Sequence, residues 1–368
     1  MTIARVLDGA TVRGPSSWIW SPSQDLAVFG GGAVLAALLG LGLRGGGAAR
    51  MSDGLWLVFV LAVDVAHVWS TLFRTYLDRE EFARRRALYL SLPLACYALG
   101  VLLHHVSSLA FWRALAYVAV FHFVRQQVGW VAIARARAGV TAALDRRLDE
   151  AVVYLATGVP MLHWHASHPR AFEWFVEGDF VGGPAVAAVA KQALRFASVA
   201  QLLAMVAYLV RSVAHARGGR PMWGKHLVVA STALLWWLGI VATNDDVTFT
   251  ITNVLPHGLP YFVLLWRYTR ARGEERPGSL VGRVARAGIV AFFTVALAFA
   301  WLEELAWDRL VWHDRERVFG VGVTLPPWLV PFLVPLLALP QAVHYALDGL
   351  LWRRKDGGAA QARALGFG

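Results

Sequence analysis

Four of the twelve histidines lie inside long apolar segments and share one setting. They are His67, His122, His257 and His344, and a basic flank follows each of them, beginning at Arg74, Arg135, Arg267 and Arg353. At a rise of roughly 1.5 Å per residue, the four imidazoles would lie about 10–20 Å inside one face of a membrane. Polar side chains at that depth are costly unless they meet one another, backbone or a metal ion. The spacing therefore predicts that the four rings converge.

Each of these histidines also has polar residues about one helical turn away. Asp64 precedes His67 by three residues, Tyr261 follows His257 by four, and Asp348 follows His344 by four. A histidine that binds a metal through one nitrogen usually needs an oxygen acceptor for the other. We therefore expect Asp64 and Asp348 to ligate a metal or to orient the rings, with Tyr261 beside them.

Histidines with carboxylates form a nitrogen and oxygen ligand set that suits iron, manganese, zinc or copper. His226, at the start of a predicted helix on the same side, is a fifth candidate ligand. The chain has a single cysteine, Cys96, so neither a thiolate site nor an iron–sulfur cluster is expected. The predicted cofactor is a metal ion, with iron the first choice.

Arg125 lies three residues after His122 and is unusually deep for a basic side chain. It would neutralise Asp64 or Asp348, hold an anionic headgroup, or have a purely structural role. Two prolines, Pro256 and Pro260, bracket His257, and each removes a helical hydrogen bond. Broken helices often line cavities in membrane proteins, so the prolines favour a pocket at this point.

A second set of histidines lies toward the opposite face: His104, His105, His163, His165, His168 and His313. Zinc or copper binding is one interpretation of the closely spaced histidines in this set. Placement at the membrane interface, where amphipathic side chains collect, is the more ordinary interpretation. We expect the second set to be interfacial.

The elements that must position these residues are apolar helices. Of the 368 residues, 57% are hydrophobic and 16% are charged, which is typical of a chain that crosses a membrane repeatedly. The sequence predicts an all-α, polytopic integral membrane helix bundle of about ten transmembrane helices, with both termini cytoplasmic. The predicted helices span residues 25–43, 54–75, 87–107, 110–134, 149–167, 184–212, 226–243, 247–267, 283–303 and 326–350.

Charged loops alternate along this series of helices. Arginine-rich loops follow the even-numbered helices, whereas acidic loops follow several odd-numbered ones. Short basic loops stay in the cytoplasm, which gives a cytoplasmic segment over 1–24, one transmembrane domain over 25–350 and a cytoplasmic tail over 351–368. The net charge of +11 is explained by these loops, so no nucleic-acid partner is expected. The predicted location is a bacterial inner membrane.

The local strings Phe121-His122-Phe123 and Pro256-His257-Gly258 resemble histidine motifs of bacterial β-carotene-cleaving dioxygenases. More broadly, the chain resembles the histidine-rich polytopic membrane iron oxygenases, which include desaturases and hydroxylases. The HxxxH and HxxHH boxes of the desaturases do not occur in the sequence. The resemblance implies iron chemistry on a lipid-soluble substrate, and no catalytic residue is transferred from it.

The predicted function is that of a membrane oxidoreductase of lipid metabolism, with a histidine-ligated iron centre near the cytoplasmic side. Its partners would be the lipid bilayer, an apolar small-molecule substrate and an electron donor. Two other classes remain open: a haem or quinone electron-transfer protein, in which paired histidines clamp a haem, and a proton-coupled transporter with a relay through Asp64 and Asp348. An acyltransferase that uses one intramembrane histidine as a base is a further alternative.

Overall fold

A computed structural model describes residues 15–44, 51–352 and 358–367. The predicted flank Arg353–Lys355 and most of the predicted 1–24 segment lie outside these residues. The described residues are helical and contain no strand. The main helices are α1 (Pro22–Gly42), α2 (Asp53–Arg74), α3 (Arg86–Val106), α4 (Ser108–Arg137), α5 (Ala143–Ala166), α6 (Pro184–Arg217), α7 (Trp223–Ala242), α8 (Asp246–Glu275), α9 (Ile289–Trp312), α10 (Val330–Leu337) and α11 (Leu339–Leu351).

Six of these helices, α1, α2, α3, α6, α7 and α9, are long and apolar enough to cross a membrane. The pair α10 and α11 would add a seventh span, bent by 43° at its break. On α6, apolar side chains project outward, with Val189 71% exposed and Phe196 69% exposed. Such a surface is stable in lipid rather than in water. The protein is therefore an all-helical membrane protein.

The three remaining long helices, α4, α5 and α8, are helical where spans were predicted but carry more polar residues. The polar residues of α8 include Thr248, Thr252 and Asn253, all of them buried. Helix α8 packs against α1, α2 and α7, and α4 packs against α3, α5, α7 and α11. The buried polar side chains of α8 are thereby shielded from lipid, whereas α4 keeps one exposed side that includes Phe121 and Arg125.

Close contact between α2 and α8 depends on Gly258. A Cβ atom at this position would lie 2.8 Å from Cγ1 of Val63 and 3.2 Å from its carbonyl oxygen. Only a glycine allows the two backbones to approach to this distance without displacement. Helix α8 continues through Pro256 and Pro260, so the interruption expected there is absent. The observed break falls between α10 and α11 instead.

A layer of charged residues closes the bundle at the end of α2 that carries Arg74. The Arg74 guanidinium is 1% exposed, pairs with Glu81 at 3.0 Å and donates a hydrogen bond to Gln361 at 2.7 Å. Arg272 pairs with Asp78 at 2.7 Å. These contacts join the chain after α2 to α8 and to the short helix Ala359–Ala364. We refer to Arg74, Asp78, Glu81, Arg272 and Gln361 as the basic-end network.

Two carboxyl groups of the basic-end network have pKa values below their ordinary range. Burial alone would raise the pKa of Asp78, but hydrogen bonds from Arg272 and Tyr268 outweigh it and lower that pKa. Burial alone would also raise the pKa of Glu81. The positive charge of Arg74 and the hydrogen bond from Tyr89 outweigh burial and lower that pKa. Both groups are therefore held as carboxylates by the folded structure.

Candidate metal centre

Four buried histidines from four different helices form one group in the interior. His67 lies on α2, His122 on α4, His257 on α8 and His344 on α11, and none is more than 4% exposed. One ring nitrogen from each lies within 4.8 Å of the corresponding nitrogen of every other. The convergence predicted from their spacing is confirmed. We refer to these residues as the four-histidine group.

The four rings form a closed quadrilateral. The centroid of His67 lies 4.7 Å from that of His257 and 5.0 Å from that of His344. The centroid of His122 lies 5.0 Å and 4.7 Å from the same two rings. Neighbouring planes are inclined by 68° to 87°. Because neighbouring rings contact each other, no planar porphyrin fits between them, which argues against axial ligation of a haem.

The ring nitrogens of the four-histidine group fit a metal ion. Nε2 of His67 and Nε2 of His257 are 3.0 Å apart. Nε2 of His122 and Nε2 of His344 are buried and have no hydrogen-bond partner. Ligand nitrogens at about 2.0–2.1 Å from one ion are separated by at most about 4.2 Å, so small side-chain movements bring all four into range. The group can therefore hold a metal ion.

The opposite nitrogen of three rings faces an oxygen atom. Nδ1 of His344 lies 2.9 Å from the Thr71 hydroxyl, and Nδ1 of His67 lies 3.3 Å from the Val63 carbonyl oxygen. Nδ1 of His122 is 3.8 Å from Oδ2 of Asp348, which is close but longer than a hydrogen bond. These oxygens leave Nε2 available for a metal, as acceptors behind histidine ligands commonly do.

His257 is positioned by an aromatic ring rather than by a hydrogen bond. The rings of Phe123 and His257 are stacked, with centroids 3.7 Å apart and planes inclined by 7°. Nδ1 of His257 and Oδ1 of Asn253 are both buried without a hydrogen-bond partner. Asn253 instead donates to the carbonyl oxygen of Phe249 at 2.8 Å. The stack fixes the plane of the His257 ring.

The predicted partners Asp64, Asp348 and Tyr261 all lie beside the four-histidine group. Oδ1 of Asp64 is 3.7 Å from Nδ1 of His67, and the Tyr261 hydroxyl is 3.1 Å from the Thr71 hydroxyl. Neither carboxylate is among the nitrogen and oxygen atoms that converge. Asp64 lies on the Nδ1 side of His67 and Asp348 on the Nδ1 side of His122, each at a distance longer than a hydrogen bond.

Two predicted site residues lie away from the four-histidine group. Arg125 is on the exposed side of α4 and donates to the Tyr154 hydroxyl at 3.0 Å, so it does not face Asp64 or Asp348. Nδ1 of His226 lies 2.6 Å from the Tyr208 hydroxyl, and His226 does not join the group. Arg125 is offset from His122 by about 60° around α4, and its side chain extends to Tyr154 of α5 rather than to the four-histidine group.

The remaining histidines form no comparable group within the part of the chain that the structure describes. His165, for example, contacts the Tyr117 hydroxyl at 2.8 Å through Nε2 and faces the Met161 carbonyl oxygen at 2.7 Å through Nδ1. Three site residues have no counterpart in the sequence prediction: Thr71, Phe123 and Tyr345. The Tyr345 ring lies 4.9 Å from that of His122.

Two cavities approach the four-histidine group from different directions. The first, of about 620 Å³, is lined by seven carboxylate residues and one arginine, and includes Asp64, Phe123 and Asn253. The second, of about 340 Å³, is lined mainly by apolar residues of α2, α3, α10 and α11, and reaches His344 and Thr71. We refer to them as the acidic cavity and the apolar cavity.

No protein-family model, no curated protein and no solved structure matches this chain. The arguments on function therefore rest on the site itself.

Proposed function

We propose that the protein is a membrane oxidoreductase that uses a histidine-ligated metal ion, with iron the first choice, on a lipid-soluble substrate. The observation that carries this proposal is the convergence of His67, His122, His257 and His344 next to an apolar cavity. Four imidazoles without thiolates suit iron, manganese, zinc or copper. When bound, an iron ion would supply redox chemistry and a site for dioxygen.

The apolar cavity supports a lipid-soluble substrate. Val68, Leu72, Leu339 and Leu347 contribute to its walls, and His344 lies at its edge. Burial of hydrocarbon against such walls is favourable, at roughly 25 cal/mol per Å². The break between α10 and α11 adjoins this cavity, with Pro340 on its wall. A substrate that entered there would bring its apolar part against the ring of His344.

The residues behind the rings would hold their orientation during a reaction. Thr71 joins the His344 ring to the Tyr261 hydroxyl through contacts of 2.9 and 3.1 Å. Tyr261 also lies beside Asp348, so hydroxyl and carboxyl groups adjoin two of the four imidazoles. These groups offer positions at which a proton can be held close to the substrate.

The proposal includes ten transmembrane spans with both termini in the cytoplasm of a bacterium. Helices α4, α5 and α8 would then cross the membrane inside the bundle, shielded by their neighbours. The alternation of basic and acidic loops supports this arrangement.

Metal analysis of the protein purified in detergent tests the proposal. We expect about one metal ion per chain, and we expect His122→Ala and His344→Ala to lose it because each removes one ligand. His163→Ala is the matched control, since this histidine lies outside the four-histidine group and should retain the metal. The yield and the melting temperature of each variant distinguish metal loss from unfolding.

Mass spectrometry of lipid extracts tests the reaction. With dioxygen as the oxidant, the lipid would gain both oxygen atoms, or one atom while a cellular electron donor reduces the other to water. Cells that produce the wild-type protein should accumulate such lipids, and cells that produce His122→Ala should not. Absence of near-stoichiometric metal from the wild-type protein would overturn the proposal. Vesicle uptake of a solute that disappears in Asp64→Asn would favour the transporter instead.

A further inference from the structure

The acidic cavity has an open end and a closed end. Exposed residues such as Glu173 and Asp314 lie on its walls, together with Asp53, whose side chain is 41% exposed. The other end reaches Asp64, which contacts His67, and Phe123, which stacks on His257. The Asp64 side chain is 32% exposed although it lies well inside α2. The cavity therefore extends from the surface to residues that contact the four-histidine group, although none of the four histidines lines it.

Acidic residues outnumber basic residues on the walls of this cavity. Seven aspartate and glutamate residues line it, against the single arginine Arg315, which pairs with Asp53 at 2.8 Å. A cleft lined with one sign of charge concentrates counter-ions and accelerates their association by roughly 10 to 10³-fold. The surface end of the cavity should therefore attract cations.

Two side chains inside the cavity have oxygen atoms without a hydrogen-bond partner. They are Oδ2 of Asp308 and Oδ1 of Asn253, and the two residues are 3% and 4% exposed, respectively. Oδ1 of Asp308 accepts hydrogen bonds from the backbone nitrogens of Asp314 and Arg315, which fixes the carboxylate. Unsatisfied buried oxygens are expensive and suit a cation that gives up part of its water shell.

The other approaches to the four-histidine group do not suit a hydrated cation. At the end of the bundle closed by the basic-end network, the guanidinium of Arg74 lies over the ring of Tyr268 at 4.8 Å and over that of Trp352 at 5.9 Å. On this side the Arg74–Glu81 ion pair and the two aromatic rings close the bundle. The apolar cavity exposes almost no polar atoms. Only the acidic cavity combines polar walls with negative charge among these approaches.

We propose that the acidic cavity is the route by which a divalent metal ion reaches the four-histidine group. Asp308 attracts the ion, and Asn253 and Asp64 receive it at the inner end. The inference rests on the proposed function, because it requires that the four histidines hold a metal.

The rate of Co²⁺ binding to the metal-free protein tests this route, since the absorption of Co²⁺ changes when histidine nitrogens coordinate it. We expect Asp308→Asn to slow binding about 10-fold, with the final stoichiometry unchanged. Glu177→Gln is the matched control: it removes an exposed carboxylate that does not line the cavity, and should bind at the wild-type rate.

Chemical modification of the cavity wall after folding tests the route without the risk that a substitution slows Co²⁺ binding through misfolding. Cys96 is the only cysteine, so Thr250→Cys in a Cys96→Ser background places one thiol in the cavity wall. Modification with a bulky, water-soluble thiosulfonate should slow Co²⁺ binding at least 10-fold, and removal of the adduct by reductant should restore the rate.

Unchanged rates in Asp308→Asn and in the modified Thr250→Cys protein, with full Co²⁺ stoichiometry, would overturn the route and leave the metal centre intact. Failure of the wild-type protein to bind any Co²⁺ would overturn both.

Discussion

At the scale of single residues, Thr71 connects the four-histidine group to Tyr261. Its hydroxyl contacts Nδ1 of His344 at 2.9 Å and the hydroxyl of Tyr261 at 3.1 Å, and the residue is buried. A hydroxyl in this position orients one ligand ring and links it to a tyrosine. The four-histidine group therefore depends on groups that bind no metal themselves.

We predict that Thr71→Val weakens metal binding by about 10 to 100-fold, which is the usual effect of removing a group that orients a ligand. The variant keeps the shape of the side chain but removes the hydrogen-bond partner of His344. Competition against a chelator of known Co²⁺ affinity measures the change.

Thr157→Val serves as the control for this substitution. Thr157 is also buried, but its hydroxyl bonds only to backbone carbonyls of α5. It should retain wild-type affinity for Co²⁺. Equal affinities for wild type and Thr71→Val would mean that the hydroxyl does not orient His344.

The sequence predicted the four histidines because depth in a membrane can be counted from a basic flank. It did not predict which residues contact which ring. Asp348 is one turn from His344 on the same helix, yet it lies beside His122 of α4. The spacing of residues along a helix shows which of them lie on the same face of that helix. Which other helix packs against that face is decided by the packing between helices. Thr71 and Phe123 were missed for the same reason.

At the scale of helices, the contact of α2 with α8 brings His67 and His257 together. Gly258 follows His257 directly, and its missing side chain lets Val63 of α2 approach. A methyl group here would be too close to a backbone oxygen to be accommodated by a rotamer change. The two helices would have to separate.

We predict that Gly258→Ala lowers the free energy of unfolding by about 1–3 kcal/mol, the usual cost of overpacking. It should also weaken Co²⁺ binding, because separation of α2 from α8 moves His67 from His257. Thermal unfolding in detergent and Co²⁺ titration measure the two effects.

Gly129→Ala on α4 is the matched control, since nothing lies within 4 Å of its added Cβ atom. It should be neutral or stabilising by up to about 1 kcal/mol, because alanine favours the helix. A Gly258→Ala protein as stable as Gly129→Ala would show that the close approach is not required.

The helices themselves were predictable because long apolar segments leave the backbone few alternatives in a membrane. The positions of the breaks were not predictable. Pro256 and Pro260 sit inside a continuous α8, whereas α10 and α11 separate at Ala338. Packing of α8 against α1, α2 and α7 outweighs the local cost of its prolines, a balance that local sequence does not show.

At the scale of the whole molecule, the basic-end network ties distant parts of the chain together. The lowered pKa values of Asp78 and Glu81 mean that folding favours their charged forms. Their contribution to stability is complete above the ordinary carboxyl pKa and is lost as the pH falls from that value through the lowered pKa of the folded protein.

We predict that the melting temperature of the wild-type protein falls progressively as the pH drops below about 5. Asp78→Asn should be less stable at neutral pH, because it loses the ion pair with Arg272, and its melting temperature should fall less steeply with acidification. Tryptophan fluorescence in detergent measures both curves. Parallel curves for the two proteins would show that Asp78 does not contribute to the acid sensitivity.

Charge is separated between the two ends of the bundle. The acidic cavity opens near Asp53 and Asp314, whereas Arg74 and Arg272 belong to the opposite end. The rule that basic loops stay in the cytoplasm would then place the mouth of the acidic cavity outside. This orientation depends on α5 crossing the membrane. Helix α5 is less apolar than the six helices that are long and apolar enough to cross.

Cysteine labelling tests whether α5 crosses. In a Cys96→Ser background, Thr141→Cys and Glu177→Cys place one exposed thiol before and one after α5. We predict that a membrane-impermeant maleimide labels Glu177→Cys in intact spheroplasts, whereas Thr141→Cys is labelled only after permeabilisation. Labelling of both from the same side would mean that α5 does not cross, and the ten-span arrangement would be wrong. Labelling of Thr141→Cys alone would reverse the orientation and place the acidic cavity on the cytoplasmic face.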